Sequence, residues 1–302
     1  MSTPQSETDA LSTLSNQLAD AVERVRRSLV QVNGRPRQPA SGIVAGENLV
    51  LTADHVIERE DDLTVQTDDE RTLPAQFAGR DPVSDLAVLR VAGLGAEVAA
   101  QAGEARVGQI ILAVGRPSSH GPMASLGVVS AVGGPLRTAR GGMLERFIQT
   151  DATPYPGFSG GALIDARGAV VGVLTTGLVG GVPLAVPAAL AWRTAATLAA
   201  HGQVKRGYLG ISSQPVALPE GQRAGRAQES GLLVVRVEPN SPASRAGLLL
   251  GDVLVALDGQ PVADIDDLQA LLTGERVGRA VPVEVIRAGT LQTLQITIGQ
   301  RG

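Results

Sequence analysis

The chain contains no cysteine. That excludes disulfides, thiolate metal sites and a cysteine nucleophile, although it does not fix the compartment. Histidine is scarce too. His55, His120 and His201 are the only three and lie far apart, so neither a metal site nor any other cofactor is expected. Aromatic residues make up 2% of the chain, so its cores must be built from the Val, Leu, Ile and Ala that dominate a 43% hydrophobic fraction. No apolar run approaches the roughly 20 residues that a membrane span requires. A net charge of −4 gives no electrostatic case for nucleic acid or an anionic membrane. No glycine-rich stretch runs into Lys-Ser or Lys-Thr, so a phosphate-cradling loop is absent. The opening residues, Met1 to Asp9, are polar and lack the basic and apolar regions of a secretory leader. As given, the chain reads as cytoplasmic; the cell envelope is the reading if a leader has been removed.

At 302 residues two domains are the natural expectation. Leu11, Leu14, Leu18, Val22 and Val25 recur at helical spacing, which predicts an amphipathic helix within residues 1–27. From Ser28 the period changes to short alternating runs broken by Gly and Pro, about a dozen of them up to Val186. That pattern predicts two six-stranded barrels dividing near residues 98–106. Ala188 to Ala200 reads as a helix closed by Gly202. After a polar joint, residues 207–302 form a second β-rich unit with one helix from Asp264 to about Thr273. Its polar loop from Ala217 to Glu229 reads as flexible.

The chemistry concentrates in Thr150-Asp-Ala-Thr-Pro-Tyr-Pro-Gly-Phe-Ser-Gly-Gly-Ala-Leu163. Ser159 stands between Gly157 and Gly160-Gly161, where the backbone can take unusual angles and expose N–H groups. A serine hydroxyl is a weak nucleophile and needs an adjacent base. Upstream, His55 lies in Val50-Leu-Thr-Ala-Asp-His-Val-Ile57, and Asp85 lies in Ser84-Asp-Leu-Ala-Val-Leu-Arg-Val91. The order His, Asp, Ser is one of three known for hydrolytic triads, the one used by two-barrel β proteases. Asp54 and Asp81 are rival acids, but neither directly precedes the Leu-Ala-Val-Leu run. His120 and His201 read as surface residues.

These three motifs resemble those of trypsin-like peptidases, and more closely the HtrA (Deg) branch, with its T-x-x-H-V, D-L-A-V-L and G-N-S-G-G-P-L. The resemblance runs from about Ser28 to the C-terminus. It implies a mostly β protein: a protease domain of two barrels at residues 28–202, then a smaller α+β PDZ domain at 207–302. It implies an ATP-independent serine endopeptidase acting on unfolded or damaged polypeptide. His55 would be base then acid, Asp85 its orienting partner and Ser159 the nucleophile. The N–H groups of Gly157 and Ser159 would form the oxyanion hole. Thr153, Leu174, Thr175 and Thr176 would line the primary pocket. Neither Thr153 nor Pro154 brings an acid to it, and Asp151 reads as a turn residue, so small or medium apolar side chains are expected there. Tyr208-Leu-Gly-Ile211 resembles the PDZ carboxylate-binding loop, implying peptides with apolar C-termini as partners. Family members form homotrimers through aromatic residues near the N-terminus; residues 1–27 contain none, which argues against that assembly here.

Two positions depart from the branch. Phe158 replaces its Asn and Ala162 its Pro. A bulky apolar residue beside the nucleophile could fix the loop or distort it, so a catalytically silent peptide-binding scaffold or chaperone is the alternative. In digestive relatives an aspartate at the Phe158 position pairs with a newly cut N-terminal amine. Phe158 cannot make that pair.

Overall fold

The computed structural model describes residues 6–36, 38–140, 142–204, 206–272 and 276–301. It divides into two compact units, residues 1–204 and 205–302.

The first unit opens with helix α1 (Ser6–Arg26). The C-terminal part of its apolar stripe is used: Ala21 and Val25 are buried, with Leu18 and Val22 packed beside them. Leu11, nearer the start, is exposed. Six strands then close a barrel: β1 (Leu29–Asn33), β2 (Ala40–Gly46), β3 (Leu49–Ala53), β4 (Leu63–Gln66), β5 (Thr72–Asp81) and β6 (Leu86–Arg90), in spatial order β1-β2-β3-β6-β5-β4. Its interior is filled by Val30, Val32, Val44, Val50, Leu63, Val65 and Leu89, so β-branched residues take the place that aromatics hold elsewhere.

The second barrel comprises β7 (Ile110–Gly115), β8 (Met123–Gly133), β11 (Phe147–Thr150), β12 (Ala162–Ile164), β13 (Val170–Thr175) and β14 (Leu184–Pro187), closed in the order β11-β14-β13-β12-β7-β8. A short ribbon of β9 (Leu136–Arg137) and β10 (Met143–Leu144) is inserted. Helix α2 (Ala188–His201) follows and is closed by Gly202, in left-handed conformation, whose N–H reaches Leu198 O at 2.8 Å. The Gly202 carbonyl accepts the Arg80 N–H of β5, so α2 fastens the second barrel's C-terminal end to the first.

The second unit contains β15 (Arg206–Tyr208), β16 (Ile211–Ala217), β17 (Ser230–Val237), the short helix α3 (Pro242–Arg245), β18 (Val253–Leu257), β19 (Gln260–Pro261), α4 (Ile265–Leu271), β20 (Ala280–Arg287), β21 (Thr290–Thr297) and β22 (Gly299–Arg301). The sheet order is β16-β17-β18-β20-β21, with β19 pairing β18 and β15 pairing β22. Asp264 caps α4 by accepting from Asp267 N–H, the start expected from sequence. The expected end at Thr273 lies outside the described residues. The loop read as flexible is tied down instead. Arg223 donates to Leu218 O and pairs with Glu229, Arg226 pairs with Glu284, and Leu218 is buried.

One ion pair anchors this unit. Arg287 grips Asp252 with Nε and Nη2, each at 2.7 Å, and the Leu249 N–H adds a third bond at 2.8 Å. Burial pushes the Asp252 carboxyl up, but the bonds from Arg287 and Leu249 together outweigh it and hold the group below its ordinary 3.8. A carboxyl whose folded pKa is depressed stabilises the fold above its unfolded pKa, and that contribution fades as pH falls through the folded value. Asp252→Asn should therefore destabilise the second unit by about 1.5–3 kcal/mol at neutral pH, and the deficit should shrink at pH values below the ordinary carboxyl range. Thermal melts of both forms at neutral and acid pH check this; a deficit that does not vary with pH would mean the carboxylate charge is not what Arg287 holds.

Candidate active site

His55 sits in a single turn of 3-10 helix, Asp54–Val56, directly after β3. Asp85 immediately precedes β6, the strand that pairs with β3, and the ladder's last pair, Ala53 with Leu86, brings the two together. The His55 N–H donates to Asp85 Oδ1 at 2.9 Å, and the ring Nδ1 lies 2.7 Å from Oδ2. An ionised carboxylate only accepts, so Nδ1 carries the proton and Nε2 of the neutral ring keeps its lone pair. Asp85 is itself strained, with φ of 53°. Its side chain is 5% exposed against 25% for His55, so the acid is shielded and the base faces the solvent side.

The second barrel completes the carboxylate's shell. Thr175, the last residue of β13, donates its hydroxyl to Asp85 Oδ2, and the Gly177 N–H in turn donates to Thr175 Oγ1 at 2.9 Å. A Cβ at Gly177 would lie 2.5 Å from Asp85 Oδ2 and 2.7 Å from His55 Nδ1, so only glycine lets this strand end approach.

Ser159 follows the buried Phe158 in the turn before β12. With His55, Gly157 and Thr176 it lines a cavity of about 240 Å³, whose other walls include Gln38, Pro154 and Tyr155. The structure thus brings the three residues of the sequence motifs to one place. The Ser159 hydroxyl rests 3.5 Å from Thr176 Oγ1; among the described residues no Ser159–His55 hydrogen bond forms. Such bonds are commonly long before substrate arrives. The N–H groups of Gly157 and Ser159 donate to no acceptor among the described residues, whereas those of Phe158 and Gly160 do. Two neighbouring free N–H groups beside a serine can receive a developing oxyanion.

The pocket residues expected from sequence separate. Thr176 lines the cavity. Leu174 is buried in the second barrel's core. Thr175 is buried with its hydroxyl spent on Asp85, a positioning place that sequence reasoning missed. Thr153 is exposed, and its carbonyl accepts from Ser125. Alternation along β13 accounts for Leu174 and Thr175, which point to opposite faces of the strand; Thr176 and Thr153 lie outside it. Of the rival acids, Asp81 caps the turn at Val83 and Ser84. Asp54 faces Arg80 at 3.4 Å. Its burial, partly offset by Arg80, raises its carboxyl above the usual value. Neither bonds to the His55 ring among the described residues. His120 and His201 are exposed. Among the described residues no cluster of three or more metal-ligating side chains occurs.

Phe158 is 1% exposed, inside the second barrel. Its ring lies against Gly115 and meets Tyr155 edge-on at 5.4 Å. The residue beside the nucleophile is therefore held by packing.

In the second unit, β16 is the edge strand of its sheet and α4 runs beside it. The loop ahead of it is bent at Gly210, with φ of 80°. The Leu209 and Gly210 carbonyls are taken by the N–H groups of Ala243 and Glu238, and Tyr208 Oη bonds to Glu238. The Leu209 and Gly210 N–H groups donate to no acceptor among the described residues.

Residues 40–173 match the trypsin-like peptidase domain and residues 207–298 the PDZ domain, so the chain is of the trypsin-like class with a PDZ domain appended. Among relatives, the "Probable periplasmic serine endoprotease DegP-like" of Ectopseudomonas mendocina is 34% identical over 92% of this chain. This chain spans 61% of that relative's length. Among solved structures, an HtrA-type protease AlgW with a tripeptide is 32% identical, with a TM-score of 0.79, covering 94% of this chain and 97% of that one. The serine endoprotease from Yersinia pestis is 29% identical, with a TM-score of 0.79 over 95% of this chain and 98% of that one. The chain belongs to the HtrA-type, DegP-like family of serine endoproteases. No helix among the described residues is long and apolar enough to cross a membrane.

Crowding at Gly177 yields a test. Gly177→Ala should push the Thr175 strand end off the His55–Asp85 pair and lower kcat on a small ester about 100-fold. A kcat equal to wild type would show that the seam has room for the methyl.

Proposed function

We propose that this chain is an ATP-independent serine endopeptidase that cleaves unfolded or damaged polypeptide through an acyl-enzyme. His55, bonded to Asp85 and sharing a cavity with Ser159, is the observation that carries the reading. His55 Nε2 takes the Ser159 proton as Oγ attacks the scissile carbonyl, then returns it to the leaving amine. Water, deprotonated by the same nitrogen, releases the acyl group. Asp85 holds the ring's tautomer and stabilises its cation without taking the proton. The N–H groups of Gly157 and Ser159 receive the tetrahedral oxyanion.

The PDZ domain takes peptide C-termini. A peptide with a free, apolar C-terminus adds as a strand to the edge of β16, and its carboxylate meets the free N–H groups of Leu209 and Gly210. AlgW structures are known with a tripeptide and with a decapeptide, in line with this reading. For the compartment, the periplasmic label of the Ectopseudomonas relative favours the cell envelope over the cytoplasm.

Two outcomes test the proposal. A fluorophosphonate should label the chain at Ser159, without prior N-terminal cleavage, because Phe158 is set by packing. Ser159→Ala should escape labelling and leave casein intact; equal residual casein with wild type and variant would favour the silent scaffold. Separately, a Cβ at Gly210 would strike Ser241. Gly210→Ala should weaken binding of a peptide with a free C-terminus at least about 10-fold, and keep ester hydrolysis. Unchanged peptide affinity would remove this loop from the binding site.

A further inference from the structure

The loop that carries Ser159 is shaped from outside its own barrel. Each carbonyl from Pro156 to Ser159 has a donor. Gln38 Nε2 donates to Pro156 O at 3.1 Å, Ser41 Oγ to Gly157 O at 2.7 Å, Gly161 N–H to Phe158 O at 2.8 Å, and Ser41 N–H to Ser159 O at 3.2 Å. Three of these four donors belong to the segment that leads into and begins β2 of the first barrel. The N–H groups alternate: Phe158 reaches Tyr155 O and Gly160 reaches Leu174 O, leaving Gly157 and Ser159 free.

A trans peptide points its N–H opposite to its C=O. Fixing the Pro156 carbonyl therefore fixes the Gly157 N–H. Ser41 holds the planes on either side of the one that carries the Ser159 N–H. Ser41 has little freedom of its own. It is 0% exposed, its hydroxyl accepts the Arg116 N–H at 2.8 Å, and its carbonyl accepts Thr52 Oγ1 at 2.7 Å. With Arg116 donating to it, the hydroxyl turns its single proton to Gly157 O. Arg116 is also anchored. Its side chain is buried and pairs with Asp68 at 2.6 Å, and Arg26 at the end of α1 holds the same carboxylate.

We propose that Ser41, assisted by Gln38, is the positioning residue for the oxyanion-binding N–H groups of Gly157 and Ser159. The proposal rests on the serine-endopeptidase reading above. Ser41 touches no substrate. It acts by keeping the loop's carbonyls turned away from the groups that must face the reacting oxygen, so its effect falls on the transition state and not on substrate binding.

The test compares wild type, Ser41→Ala and Gln38→Ala. For Ser41→Ala, kcat on a small peptide ester should fall at least about 10-fold with KM within about 2-fold. Affinity for a peptide aldehyde, whose adduct with Ser159 carries an oxyanion, should fall in step with kcat/KM. Gln38→Ala, at an exposed position, should show the same split in smaller measure at unchanged melting temperature. Amide exchange at Phe158 and Gly160 should quicken in Ser41→Ala, a readout independent of turnover. Wild-type kcat with unaltered exchange overturns the proposal, as does a loss that appears only in KM. If Ser41→Ala does not fold, Gln38→Ala decides alone: an unchanged kcat and an unchanged aldehyde affinity count against the clamp. A wild type that hydrolyses nothing would sink the endopeptidase reading, while the exchange data would still judge the clamp.

Discussion

A carboxylate placed out of reach of water between two barrels must be surrounded by donors, because an isolated buried charge costs more than a fold of this size can absorb. Asp85 is that carboxylate. The first barrel supplies the His55 N–H and ring, and the second supplies the Thr175 hydroxyl. Much else follows from meeting those demands. The backbone at Asp85 accepts a left-handed angle so that both oxygens face their partners. Residue 177 has no side chain because the strand end that delivers Thr175 must pass against the imidazole. The ring is held in one tautomer, which leaves its second nitrogen free at the cavity. One ionic requirement thus fixes the relation of two separately closed barrels at the point where chemistry is expected.

The loop beside it obeys a different rule. A charged residue next to the nucleophile needs a buried counter-charge, and losing one partner of such a pair is costly. Phe158 removes both charges. Its ring fills space against Gly115 and Tyr155, and an apolar contact of this kind needs no partner brought from elsewhere. Packing alone fixes where the side chain sits but not which way each peptide faces. Hydrogen bonds to the carbonyls do that, and most of them come from the first barrel.

Local patterning explains why so much of the fold was legible. The change from helical to alternating period near Ser28, and the glycine after α2, are written in consecutive residues, and the barrels, α2 and its cap stand where they predict. The three chemical motifs were legible for the same reason, each being a short string. What could not be read is non-local. Thr175 looked like a pocket residue because it neighbours Thr176, yet strand alternation turns its hydroxyl to Asp85, 90 positions away in the chain. Gln38 sits in an ordinary Gly- and Pro-containing connection and Ser41 at the start of β2, and nothing nearby names their partners more than 100 residues later. The Ala217–Glu229 loop misled for a related reason. Its polar composition suggests freedom, but its arginines reach a backbone carbonyl and two carboxylates, which composition does not reveal.

The two compact units solve their buried-charge problems alike. Asp252 in the PDZ unit is as shielded as Asp85 and is likewise met by a guanidinium or hydroxyl donor together with a backbone N–H. The difference lies in what the pair leaves available. Arg287 has its Nε and one terminal nitrogen committed to Asp252, and its positive charge does not alternate between states, so the pair is a fixed anchor. An imidazole bound through one nitrogen keeps a second nitrogen whose protonation can change. Placing that nitrogen in one cavity with Ser159 makes the same kind of buried contact into an element of chemistry. The distinction therefore rests on the identity of the partner, histidine at 55 and arginine at 287, more than on the depth at which either carboxylate is buried.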